Sequence, residues 1–195
     1  MTTKAKVGIA LTVVLVLVGC TVPIIQWTSF ELNMATLPEH IRDFYNIGRT
    51  TPLSPNIQVY DGVELENTAW YLVEIGEDVD LGYVKLERNF LGRYKIVRLG
   101  YGGGSFRDGV VRSGEKAYYL FGGRDVTGRI AKITMTQNGE TCTMENAEGK
   151  THFLFCTELS PQLGDHEIDR STLRFYDKDG NDITAEYDLS GGGIQ

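Results

Sequence analysis

A catalytic signature is what this chain of 195 residues most plainly lacks. No Gly-x-Ser-x-Gly nucleophile elbow occurs, and the glycine-rich stretch 100–109 lacks the Gly-Lys-Ser/Thr ending of a P-loop. Histidine is scarce: His40, His152 and His166 stand far apart, which leaves no legible transition-metal set. The carboxylates are too scattered along the chain to single out an acid–base pair. Positive charge is short as well. Beyond Trp27 there are 17 basic against 26 acidic residues, a net of −9. A surface of that sign repels polyphosphate backbones, so nucleic acid is excluded as a partner and anionic headgroups are disfavoured. The excess acid serves solubility and is compatible with cations or basic proteins.

The amino-terminal end lacks acid altogether, and from Val7 to Trp27 no residue is charged. Twenty-one residues at helical rise span ~31 Å, the thickness of a bilayer's hydrocarbon core. Lys4 and Lys6 place the amino terminus in the cytoplasm, and Trp27 stands where an interfacial anchor belongs. These features predict a retained single-pass helix. The same residues support a second reading. Lys4 and Lys6 form a positive n-region, Val7 to Val18 an apolar h-region, and Leu17-Val18-Gly19-Cys20 resembles a bacterial lipobox, which implies cleavage before Cys20 and lipid on its thiol. The apolar Thr-Val-Pro-Ile-Ile-Gln-Trp after Cys20 suits the spanning helix, although Pro23 loosens its last turns. Either way the rest of the chain is membrane-tied and extracytoplasmic.

After this segment, "TLPEHIRDFYNIG" reads as a short helix with a Thr36/Glu39 capping box, Pro38 in the first turn and Gly48 past the end. From Ile57 the apolar period changes to two. "TAWYLVEIG", "LGYVKLER", "GRYKIVRLGYG", "KAYYLFGG", "RIAKITMT", "ETCTMEN", "THFLFCTEL", "STLRFYD" and "DITAEYD" are short, rich in Val, Ile, Tyr and Thr, and separated by Gly- and Asp-containing turns. This predicts a mainly β fold of about nine or ten antiparallel strands: a β-sandwich or curved meander, with a closed barrel as a further alternative. The expected organisation is 1–27 anchor or lipoprotein signal, 28–56 short helix and linker, 57–189 β-domain and 190–195 flexible tail.

Of the three cysteines, Cys142 and Cys156 flank a segment that reads as strand, turn, strand. A three-residue loop at 148–150 sets them face to face, and an oxidising compartment then predicts a disulfide; Cys20 is left over for lipidation or the membrane. Other candidate chemistry is weaker. "GYGGGSFRDG" is glycine-rich like a phosphate loop, but no helical pattern follows it, so a loop or bulged hairpin is expected, with Arg107 and Asp108 at its end. "DKDGNDITAEYD" reads as a hairpin turning at Asp179-Gly180; its glycine is misplaced for an EF-hand, and Asp177, Asp179 and Asp182 form at most a weak calcium site. "GDHEIDR" brings His166, Glu167 and Asp169 into what reads as a solvated loop.

The stretches "GYVKLERNFLGRYKIVRLGYGGGSF", "GEKAYYLFGGRDVTGRIAKITM" and "LRFYDKDGNDIT" resemble an uncharacterised family of small membrane-anchored, lipoprotein-like proteins of Gram-positive bacteria. The resemblance covers about half the chain, implies an anchored β-domain and carries over no catalytic residue. The expected function is therefore non-enzymatic: binding, sensing or accessory work in the cell envelope, with no cofactor. The membrane is contacted through the amino-terminal segment, and the partner is an envelope protein. The alternative is a hydrolase or metal-dependent enzyme whose site is assembled from distant loops.

Overall fold

Local chemistry sets the α-helix of the described residues. In the computed structural model, which describes residues 28–77, 80–145, 150–161, 163 and 168–189, helix α1 spans Leu37–Tyr45 with Pro38 in its first turn. Its buried face is Leu37 and Ile41, and it packs against the first strand of the β-domain. The expected capping box does not form. The Thr36 hydroxyl bonds to the carbonyl of Asn33, and the Asn33 carboxamide accepts the N–H of Ala35, so a turn before the helix takes the side chains that a box would use. Among the described residues no helix is long and apolar enough to cross a membrane. The apolar segment with Cys20, and His166 and Glu167, lie outside them.

Among the described residues ten strands follow: β1 Ile57–Leu65, β2 Thr68–Ile75, β3 Asp80–Arg88, β4 Tyr94–Gly102, β5 Phe106–Ser113, β6 Lys116–Arg124, β7 Lys132–Gln137, β8 Glu140–Glu145, β9 His152–Leu159 and β10 Arg174–Tyr176. They form three sheets, ordered β1-β2-β3-β4, β5-β6-β9 and β10-β7-β8, and the strand pairs are antiparallel. The fold is mainly β and antiparallel, as the period-two pattern predicts. The "DITAEYD" segment differs from its expected strand. Asp182 accepts the N–H of Thr184, and this side-chain turn diverts the backbone into a single 3-10 turn at Thr184–Glu186.

Side-chain alternation in the middle sheet builds two cores. On β6, Ala117, Tyr119 and Phe121 face one way, aligned with Phe106 on β5 and Phe153 and Leu159 on β9. They join Ile133, Met135, Met144 and Phe175 from the β10-β7-β8 sheet. Leu120 faces the other way with Val111, towards Leu65, Trp70, Leu72, Leu81 and Tyr83 of the first sheet. The middle sheet is thus covered on both faces, which is why "AYYLF" reads as a nearly continuous apolar run. At Gly122 and Gly123 side chains from the two cores approach the β6 backbone closely. A Cβ on Gly122 would lie 2.5 Å from the Tyr83 hydroxyl, and one on Gly123 would lie 2.4 Å from the Phe106 ring.

The two-core plan overturns the disulfide expected between Cys142 and Cys156. Strands β8 and β9 are successive in sequence but join different sheets: Cys142 lies opposite Met135 on β7, and Cys156 opposite Leu120 on β6. Cys142 packs on one core and Cys156 on the other. Both thiols are free.

The described residues form two compact units. The smaller comprises 28–32 and 88–95, in which Phe30 and Tyr94 exchange backbone bonds of 2.8 Å and Arg93 donates to the Ser29 carbonyl at 2.6 Å. The larger holds α1 and most of every sheet.

Candidate binding cleft

The face that β3 turns towards the middle sheet carries Leu81, Tyr83, Lys85 and Glu87 in alternate positions. The first two are buried in the core. The last two line an open cleft of ≈ 540 Å³, together with Trp70, Arg98 and the β5 residues Val110 to Arg112. The change from apolar to charged residues along one strand face marks where the sheets part. The Lys85 Nζ sits 5.7 Å from the centre of the Trp70 ring and 3.3 Å from Glu87 Oε1. Trp70 is only 5% exposed, and its indole N–H is buried without an acceptor. Three cations, Lys85, Arg98 and Arg112, face one carboxylate, Glu87. Arg98 is exposed. A locally cationic cleft thus interrupts a chain of net charge −7.

The glycine-rich loop beside the cleft is structural. The Arg107 guanidinium donates to the carbonyl oxygens of Leu81 at 3.1 Å, Phe106 at 2.7 Å and Gly103 at 2.6 Å, and also to that of Gly102. Phosphate cradles present N–H groups, whereas here loop carbonyls turn inward to a cation. Asp108 is likewise occupied, accepting from the Tyr119 hydroxyl at 3.0 Å and pairing with Arg170 at 2.6 Å. Burial, then the Asp108 charge, pushes the Tyr119 phenol far above its ordinary pKa.

A second polar cluster lies on the β2 face that carries Trp70 and Leu72, at Glu74. This carboxylate is 5% exposed and accepts from the Tyr60 hydroxyl at 2.6 Å, Arg124 at 3.1 Å and His152 Nε2 at 3.0 Å. The Tyr60 and His152 rings stack with centroids 3.8 Å apart. Burial alone raises a carboxyl pKa, but bonds from Tyr60 and His152 and the charges of His152 and Arg124 outweigh it, holding Glu74 below its ordinary value. Burial, then the bond to Glu74, pushes the Tyr60 phenol well above its own. The Thr151 hydroxyl stands 3.3 Å from His152 Nδ1, which completes a hydroxyl–imidazole–carboxylate line. Burial would also raise Asp125, yet the N–H of Ile130 and the hydroxyls of Thr127 and Tyr187 keep it low, so it serves as a loop cap.

Of the weak calcium candidates, the Asp177 and Asp182 carboxylates are used locally, and Asp179 is exposed. Asp177 accepts the N–H groups of Asp179 and Asn181, Asp182 accepts that of Thr184, and Asp169 caps the 3-10 turn at Arg170–Thr172. Among the described residues no three His, Cys, Asp or Glu side chains converge to hold a metal. Reading the sequence misses Trp70, Lys85, Arg98 and Arg112, and also Tyr60, Glu74 and Arg124. One signal was available: Glu74, Lys85 and Glu87 occupy inward positions of otherwise apolar strand faces. Comparison with protein families, curated proteins and solved structures finds no match.

Proposed function

We propose that this protein is an envelope-anchored, non-enzymatic β-domain that binds a protein partner outside the cytoplasmic membrane, with the cleft between β4 and β5 as its contact surface. The observation that carries this reading is the cleft itself: open, walled by valines and an aromatic ring, and cationic on an acidic chain. Aromatic and arginine side chains around an open apolar floor supply the contacts that interfaces use. The uncharged stretch from Val7 to Trp27 supports the anchor. Crosslinking in intact cells followed by mass spectrometry tests the binding role; one specific envelope protein is expected, and recovery of none overturns it. The mass of the mature amino terminus decides the kind of anchor. An acylated Cys20 identifies a lipoprotein, and an intact start identifies a spanning helix.

The line from Thr151 through His152 to Glu74 favours a second reading, a hydrolase. Turnover of an activated ester that disappears in Thr151→Ala would support it; an unchanged rate would remove it.

A further inference from the structure

We propose that the cleft takes an extended acidic peptide segment, which adds as a strand to the outer edge of β5 and sets its carboxylates against Lys85 and Arg98. This rests on the binding-domain reading above and names what the partner presents.

The wall of the cleft points to a strand. Val110, Val111 and Arg112 line it in succession. Neighbouring residues of a strand face opposite ways, so three in a row form a wall only along the strand's edge, where backbone N–H and C=O groups lie. Among the described residues strand β5 ends its sheet, hydrogen-bonded there to β6, and β4 likewise ends the first sheet. Such an edge receives an extended chain through main-chain bonds, and pockets beside it select alternate side chains. Three residues of β5 present ~10 Å of edge, which about three peptide residues cover.

Charge selects the segment. Lys85 and Arg98 outnumber Glu87 around the cleft, whereas the chain as a whole is acidic. An acidic peptide is repelled over most of the surface and attracted here, so the field both steers it and restricts it to this edge. Residues between the acids lie over Val110 and favour an apolar side chain.

The test is titration of the full-length protein in detergent with a capped hexapeptide of alternating Glu and Val. Saturable binding is expected. It should weaken about tenfold or more in Arg98→Glu, and by a similar factor when the peptide's Glu residues become Lys. N-methylation of one alternate set of peptide amides should abolish binding while methylation of the other set leaves it intact, because strand addition uses one edge of the added chain. Absence of saturable binding, indifference to the Glu-to-Lys exchange, or equal effects of the two methylated sets would overturn the proposal. Full competition by equimolar inorganic phosphate would also overturn it, since it marks a simple anion site. The peptide variants need no change in the protein, so the test stands even if Arg98→Glu fails to fold. Photo-crosslinkers placed at Arg98 and at exposed Lys178 separate this inference from the broader reading. A specific partner captured at Lys178 alone defeats the cleft but keeps the binding domain, and capture at neither site defeats both.

Discussion

Glu74 shows how one side chain ties separate strands together. Its carboxylate receives donors from β1, β6 and β9, so it links the first sheet to the middle one through a buried charge. Removing one member of such a group leaves the others desolvated and unpaired. Glu74→Gln is expected to lower unfolding free energy by about 1–3 kcal/mol, measured by urea denaturation. The pH dependence follows from the direction of the shift. The folded-state pKa lies below the ordinary 4.5, so the charge stabilises fully above that value and its contribution is lost as pH falls through the folded value. The gap between wild type and Glu74→Gln should therefore close as pH falls from roughly 5 through the folded value. A gap unchanged between roughly pH 5 and pH 2 would contradict this assignment.

At the scale of elements, β6 is the strand on which the fold depends, because both cores lie against it. Its two adjacent glycines meet different faces: Gly122 touches Tyr83, Leu72 and Leu154, and Gly123 touches Phe106 and Phe153. Gly122→Ala is expected to cost about 1–3 kcal/mol by overpacking, read as a lowered melting temperature. An unchanged melting temperature would mean that the first and middle sheets separate easily. The same element plan governs the thiols. Burial pushes Cys156 up to about 11, and burial together with the Glu140 charge raises Cys142. Alkylation of the folded protein at neutral pH should be slow, while unfolding without reductant should let both react. Mass spectrometry showing neither modified would restore the bridge that the sheet order denies.

At the scale of the whole molecule, function is expected from charge contrast rather than from buried chemistry. The protein is acidic, its cleft is lined by more cations than carboxylates, and β5 ends its sheet at the same place among the described residues. Binding governed in this way depends on ionic strength. Affinity for the acidic hexapeptide should fall as salt rises from roughly 0.05 to 0.5 M, because exposed charges are screened over a shorter distance. Affinity independent of salt, measured by titration calorimetry, would assign the binding to the valines instead. The Glu74 cluster forms a structural link within the same unit, and its line to Thr151 gives the hydrolase reading its test.

The sequence by itself determined the local half of this protein. Period-two burial, as in Ile133 and Met135 against Lys132 and Thr134, is a property of neighbours along the chain, and so is the stop that Gly48 makes after α1. These features were legible because backbone geometry within a few residues decides them. Strand partners were not legible, because an apolar strand face suits several other apolar faces and only global packing selects among them. That selection sent Cys142 and Cys156 to different sheets. It also turned the glycine-rich loop into a collar for Arg107 and brought the distant residues Trp70, Arg98 and Arg112 around one cleft. Charges at inward positions of β2 and β3 hinted that the sheets part there. Only tertiary structure decided what faces them, because the opposing wall comes from a strand of another sheet.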